Sequence, residues 1–131
     1  MENNVFTNGI CIRLPKDNFD NRILSNLKNL VSNKQYLLKK ALCADCTDVN
    51  TFGPYIDFPW FHGRVDKQTA VDTHLVISQM VSHAKDVNHI FAVDNKKQEF
   101  NSQDCDEFLS LLGLVGDQYN EVRERLCSRF V

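Results

Sequence analysis

Two rhythms of apolar residues run along this chain. Residues 9–14, Gly-Ile-Cys-Ile-Arg-Leu, are β-rich and stop at Pro15, which predicts a short strand. Behind it Ile23, Leu24, Leu27, Leu30 and Val31 recur at helical spacing. Asp17, Asn18 and Asp20 precede them, and each has a side-chain oxygen able to accept from the free amides of a first helical turn. Ser32-Asn33 interrupts the pattern before Leu37, Leu38, Ala41 and Leu42 resume it. Lys34, Lys39 and Lys40 lie on the opposite side, so the stretch is either one bent helix or two meeting near Asn33. Residues 44–54 form a polar loop closing on Gly53-Pro54.

The segment Tyr55-Ile56-Asp57-Phe58-Pro59-Trp60-Phe61 alternates and predicts a second strand, with Pro59 at an edge or at the strand's exit because it has no N–H to donate. His62-Gly63-Arg64 predicts a turn. The longest helix runs from Asp66 to about Asn88, with an apolar stripe of Ala70, Val71, His74, Leu75, Ile77, Met80, Val81 and Ala84. Residues 85–103 are polar except for Ile90-Phe91-Ala92-Val93, a short strand or a loop packed on the core. Ser102 or Asp104 caps a helix through Phe108, Leu109, Leu111 and Leu112, which Gly113 ends. Asp117 caps the last helix, whose apolar positions are Tyr119, Val122, Leu126 and Phe130. The expectation is a single α+β domain over 1–131, with four to five helices packed on a small two-stranded antiparallel ribbon.

Composition narrows the class of partner. A chain of 131 residues buries roughly two-thirds of its unfolded surface and needs neither metal nor disulfide to hold a core. The net charge of -2 gives no global basic field, so contact with nucleic acid requires a local patch. Five cysteines and a polar start, Met1-Glu2-Asn3-Asn4, lead to the expectation of reduced thiols, no secretory leader and a place in the bacterial cytoplasm. No run approaches the roughly 20 apolar residues of a membrane span.

Motifs for chemistry are few. Cys43-Ala44-Asp45-Cys46 is one Cys-x-x-Cys pair, whereas a zinc knuckle needs two at fixed spacing and a redox helix needs the motif at its start. His62, His74, His83 and His89 show no i, i+4 pair, and His74 reads as a core-edge residue. No phosphate loop or nucleophile elbow is present, so the expectation is no enzyme and no cofactor. Phe58-Pro59-Trp60-Phe61 reads either as an exposed aromatic cluster for binding or base stacking or, the favoured expectation, as a strand whose Phe58 and Trp60 share an inward face and anchor the core. Two surfaces remain. Asp94, Glu99, Asp104, Asp106 and Glu107 form an acidic set that imitates the phosphate track of nucleic acid. The helix pair around Gly113–Asp117 resembles a helix-turn-helix, whose last helix offers Gln118, Arg123, Arg125 and Arg129, with Lys39 and Lys40 as further cations.

The order of four stretches resembles a group of small, uncharacterised "virulence-related" proteins of Firmicutes phages and integrative elements. They are the opening Ile10 to Leu42, with Asn26-Leu27-Lys28-Asn29-Leu30-Val31 and Leu37-Leu38-Lys39-Lys40-Ala41-Leu42; Phe58-Pro59-Trp60-Phe61; the long middle helix; and Leu112 to Tyr119 with the arginine-bearing helix after it. The group has a basic tract before the final helix pair, where this chain is acidic, and it extends past the last helix. The resemblance implies a mobile-element context, which favours maintenance, regulation or inhibition of a host defence. With the acidic set and the missing catalytic motifs, the expectation is a non-enzymatic binding protein engaging a host protein or nucleoprotein as a counter-defence inhibitor, for example of a CRISPR nuclease. The alternative is a DNA-binding protein regulating the element. A redox or metal protein using Cys43 and Cys46 is the remote third.

Overall fold

The computed structural model describes residues 6–16, 19–87, 92–94 and 96–130. β1 (Phe6–Pro15) and β3 (Tyr55–Asp66) form a long antiparallel pair, and β2 (Asn50–Phe52) adds to the other side of β3. The expected ribbon is therefore a three-stranded sheet in the order β1-β3-β2. The additional strand carries no hydrophobic alternation, since all of Asn50, Thr51 and Phe52 are exposed. It is held by pairing with Asp57, Ile56 and Tyr55 across a tight turn in which Gly53 takes φ +56.

The turn expected at His62–Arg64 is absent, because β3 continues through it. β1 reaches back to Phe6 and supplies the partners, with Asn8 opposite Arg64 and Phe6 opposite Asp66. Two register shifts fit the twelve residues of β3 to the ten of β1. One lies between the partners of Asn8 and Ile10, where Gly9 takes φ +70. The second lies between Phe58 and Phe61, and Pro59 falls inside it. Pro59 lies inside the strand, not at its exit, but past the last residue that β2 pairs, so one side of β3 is an edge there, and it also falls in a bulge where a missing N–H does least harm. The bulge also turns both Trp60 and Phe61 into the core, at 0% and 5% exposure. Phe58 meets Trp60 edge-to-face, 5.9 Å between centroids, as the shared inward face predicts.

The helical stretch after β1 is two helices, α1 (Asn21–Asn33) and α2 (Gln35–Leu42). Asp20 caps α1 by accepting from the Ile23 amide at 2.8 Å, while Asp17 and Asn18 lie outside the described residues. At the break, the Asn33 side chain donates to the Ala92 carbonyl and accepts from the Asp94 amide. The polar residue that interrupts the apolar pattern therefore anchors a distant segment. Ala92 and Val93 of the expected apolar patch are exposed, and Ile90 and Phe91 lie outside the described residues.

α3 (Lys67–Asp86) lies where the long helix was expected and is capped by Asp66, and its buried stripe is Asp72, Thr73, Val76, Ile77, Met80, Val81 and Ala84. Val71 and His74, expected on that stripe, are exposed. Polar side chains at two core positions hid the first part of the stripe. Thr73 satisfies its hydroxyl on the Thr69 carbonyl at 2.7 Å, and Asp72 is paired as described below. α4 (Ser102–Leu111) starts from Asn101 rather than Ser102, with Asp104 closing a reciprocal capping box. Gly113, at φ +86, ends it as predicted. Asp117 is not a cap. It opens a single 3-10 turn, Asp117–Tyr119, and α5 (Asn120–Cys127) follows. The helices pack on the inner face of the sheet around Trp60, Leu27, Leu37, Met80, Leu114 and Leu126, each of which contributes about 1.5–3 kcal/mol by leaving water.

Several carboxylates that tie these elements together are held below the usual carboxylate range. Asp57 is so held by the Arg13 guanidinium, Asp66 by the Thr69 hydroxyl and amide, and Asp104 by the Asn101 amide. A depressed folded value contributes stability that is complete above the unfolded carboxylate pKa and disappears as pH falls through the folded one. The urea midpoint is therefore expected to fall as pH drops below about 4. A midpoint that stays constant or rises between about pH 4 and pH 2 contradicts these contacts.

Candidate functional site

The last two helices hold both candidate surfaces. α4 and α5 put Cys105, Phe108, Leu109, Val122 and Leu126 into the core, and Leu114 fills the turn between them. Helical geometry then leaves Arg123, Arg125 and Arg129 on the flanks of that buried seam. Each guanidinium turns back onto the protein. Arg123 donates to the Leu114 carbonyl at 2.7 Å and to the Asp106 carboxylate. Arg125 makes a two-pronged contact with Asp72 at 2.8 and 2.9 Å, and Gln68 donates to the same carboxylate at 2.9 Å. Arg129 donates to the Ala41 carbonyl in the last turn of α2, where a helix end is electronegative.

These contacts change what the arginine-bearing helix can do. A phosphate-binding cation must be available to displace counterions from the nucleic-acid backbone. Here the guanidinium groups of Arg123 and Arg125 stitch α5 to the α4 turn and to α3, and that of Arg129, in the 3-10 turn Ser128–Phe130 that follows α5, reaches α2. Lys39 is half-buried with Nζ 5.4 Å from the Tyr36 ring, and Lys40 lies 5.4 Å from the Phe130 ring. Gln118 is exposed in the 3-10 turn that precedes α5. The expected row of cations is thus divided among separate internal partners.

The acidic set divides differently. Asp104 is structural, as half of the capping box, and Lys97 pairs with it at 3.4 Å. Asp106 is exposed and holds Arg123 from outside. Asp94, Glu99 and Glu107 are all exposed, and Gln103 donates to Glu107 at 3.4 Å along the helix. Between α4 and α5 runs a groove of about 670 Å³ lined by Ser102, Gln103, Asp106, Asn120, Arg123 and Glu124, with Cys127 at its floor. Glu124, which sequence reasoning weighed only as a charge unfavourable to DNA, faces the same groove as Asp106. Its contribution follows from the helix pairing, which no local pattern announces.

The Cys-x-x-Cys loop closes α2. Cys43 takes the left-handed conformation, φ 57, that usually favours glycine at this position. The loop then lies along β3, where Cys46 Sγ reaches 3.8 Å from His62 Nε2. This thiol–imidazole approach joins residues sixteen apart, a proximity that spacing does not reveal. A second thiol pair, Cys105 and Cys127, meets between α4 and α5, where burial pushes both thiols up. His74 is exposed, His83 is half-buried with a partner of its own, and His89 lies outside the described residues. Among the described residues no three His, Cys, Asp or Glu side chains converge to hold a metal ion, and no helix is long and apolar enough to cross a membrane.

Comparison with models of protein families, with curated proteins and with solved structures finds no match.

The stitching arginines have measurable consequences. Arg125→Met leaves Asp72, 3% exposed, without its cation and is expected to lower unfolding free energy by about 3 kcal/mol. Gln118→Ala, in the exposed 3-10 turn that precedes α5, is expected to stay within about 0.5 kcal/mol. Equal effects at the two positions in urea denaturation exclude a structural role for Arg125.

Proposed function

We propose that this chain is a non-enzymatic binding protein that presents its 94–107 acidic segment to a basic surface of a partner protein or nucleoprotein. The observation that carries the reading is the contrast between the two candidate surfaces. Asp94, Glu99 and Glu107 are exposed to solvent, whereas Arg123, Arg125 and Arg129 are engaged with groups of the protein itself. Glu124 adds a carboxylate across the groove from Asp106.

Exposed carboxylates at Asp94 and Glu99, ahead of α4, and at Glu107 on it suit a cationic channel built for nucleic acid, because they and the phosphates both present repeated negative charge to Lys and Arg. The partner class we favour is therefore a host nucleic-acid-binding protein, such as a CRISPR nuclease or another defence effector. The resemblance to proteins of mobile elements points in the same direction, and the place of action proposed with it is the cytoplasm of a bacterial host. Direct DNA binding is disfavoured on charge: the helix that would enter the groove has its arginines neutralised or turned inward.

The test is affinity capture from host extract with the wild type and with a variant carrying Asp94→Lys, Glu99→Lys and Glu107→Lys. The expected result is a nucleic-acid-binding protein retained at low salt by the wild type and weakened by roughly tenfold or more in the variant. Equal retention by both forms, or a gel shift of duplex DNA by the wild type, overturns the reading.

A further inference from the structure

The fold and the binding surface leave unused the thiol–imidazole approach at the Cys-x-x-Cys loop. Cys46 Sγ lies 3.2 Å from the Pro59 carbonyl and 3.8 Å from His62 Nε2. The Pro59 carbonyl accepts the resting thiol hydrogen. In the tautomer that carries its proton on Nδ1, the imidazole offers Nε2 as a base on the sulfur.

The pair is held firmly. The Asp45 and Cys46 amides donate to the Trp60 carbonyl at 2.8 and 3.4 Å. The Asp45 carboxylate accepts from the His62 amide at 2.7 Å, and this contact holds its carboxyl below the usual range. The Trp60 indole N–H donates to the Asp48 carbonyl at 2.8 Å. The loop is thus anchored on a fully buried ring, and it covers the length of β3 that β2 is too short to pair. Cys46 is half-exposed and His62 exposed, so a solvent-borne reagent reaches both.

We propose that Cys46 and His62 form a nucleophilic pair that makes Cys46 the chain's preferred site of modification by small disulfides. The thiolate is the attacking species, and an adjacent base supplies it. The Cys46 proton passes to His62 Nε2, and the sulfur attacks one sulfur of the disulfide RSSR. The S–S bond breaks, and the departing RS⁻ takes the proton back from His62. Cys46–SH and RSSR give Cys46–S–SR and RSH, with electrons and protons balanced.

Exposure alone gives the opposite ranking, because Cys11 and Cys43 are more exposed than Cys46. The experiment is exposure of the full-length protein to oxidised glutathione, with the extent of modification at each cysteine followed by peptide mass mapping. Cys46 is expected to react roughly tenfold faster than Cys11 and Cys43. His62→Gln, which keeps the backbone donor to Asp45, is expected to lower the Cys46 rate by about the same factor and leave the other two unchanged. Cys46 reacting no faster than Cys11 and Cys43 in the wild type overturns the proposal without need of any variant. So does a Cys46 rate in His62→Gln equal to that of the wild type.

Discussion

A carboxylate buried in the middle of α3 sets the arrangement of the C-terminal third of the chain. Asp72 is nearly inaccessible, and an ionised group there costs several kcal/mol unless its charge and lone pairs are met. Two N–H groups of Arg125 and the Gln68 amide meet them. That requirement fixes where α5 lies and how it is rotated. With Arg125 turned onto α3, Val122 and Leu126 enter the core, and Arg123 and Arg129 reach the α4 turn and the end of α2. One buried charge therefore specifies the docking of a short helix whose two buried apolar positions give it little hold of their own.

The electrostatic consequence reaches the surface. The charges of Arg123 and Arg125 are balanced by Asp106 and Asp72, and the Arg129 guanidinium is tied to the Ala41 carbonyl, while Asp94, Glu99 and Glu107 stay exposed. Asp106 shows both roles at once, pairing with Arg123 while remaining solvent-exposed. Function in this protein is thus read from which charges the fold uses internally, more than from how many of each it has. The net charge of -2 conceals that division.

The apolar rhythm carried most of the architecture: both long strands, the helix pair that breaks at Asn33, and the glycine that ends α4 are all visible in it. What it missed has physical causes. β2 pairs through its backbone and buries no side chain, so it leaves no pattern. The His62–Arg64 turn gave way to strand because β1 extends to Phe6 and bulges absorb the mismatch. The second half of the α3 stripe was legible, and Val71 and His74 were misplaced because Asp72 and Thr73 occupy core positions that a hydrophobic stripe cannot show. The candidate residues themselves were legible as types, but their roles were not. Whether an arginine faces solvent or a buried aspartate fifty-three residues away is a tertiary fact.

The central claim is that the arginines of α5 and of the turn after it hold the fold together and that the acidic face is left for partners. Its most direct measurement is NMR observation of the Nε–H groups of Arg123, Arg125 and Arg129 during titration with short duplex DNA at low salt. The prediction is an Arg125 Nε–H protected from solvent exchange and resonances unmoved by DNA. Rapid exchange at Arg125, with shifts of all three signals as duplex is added, contradicts it.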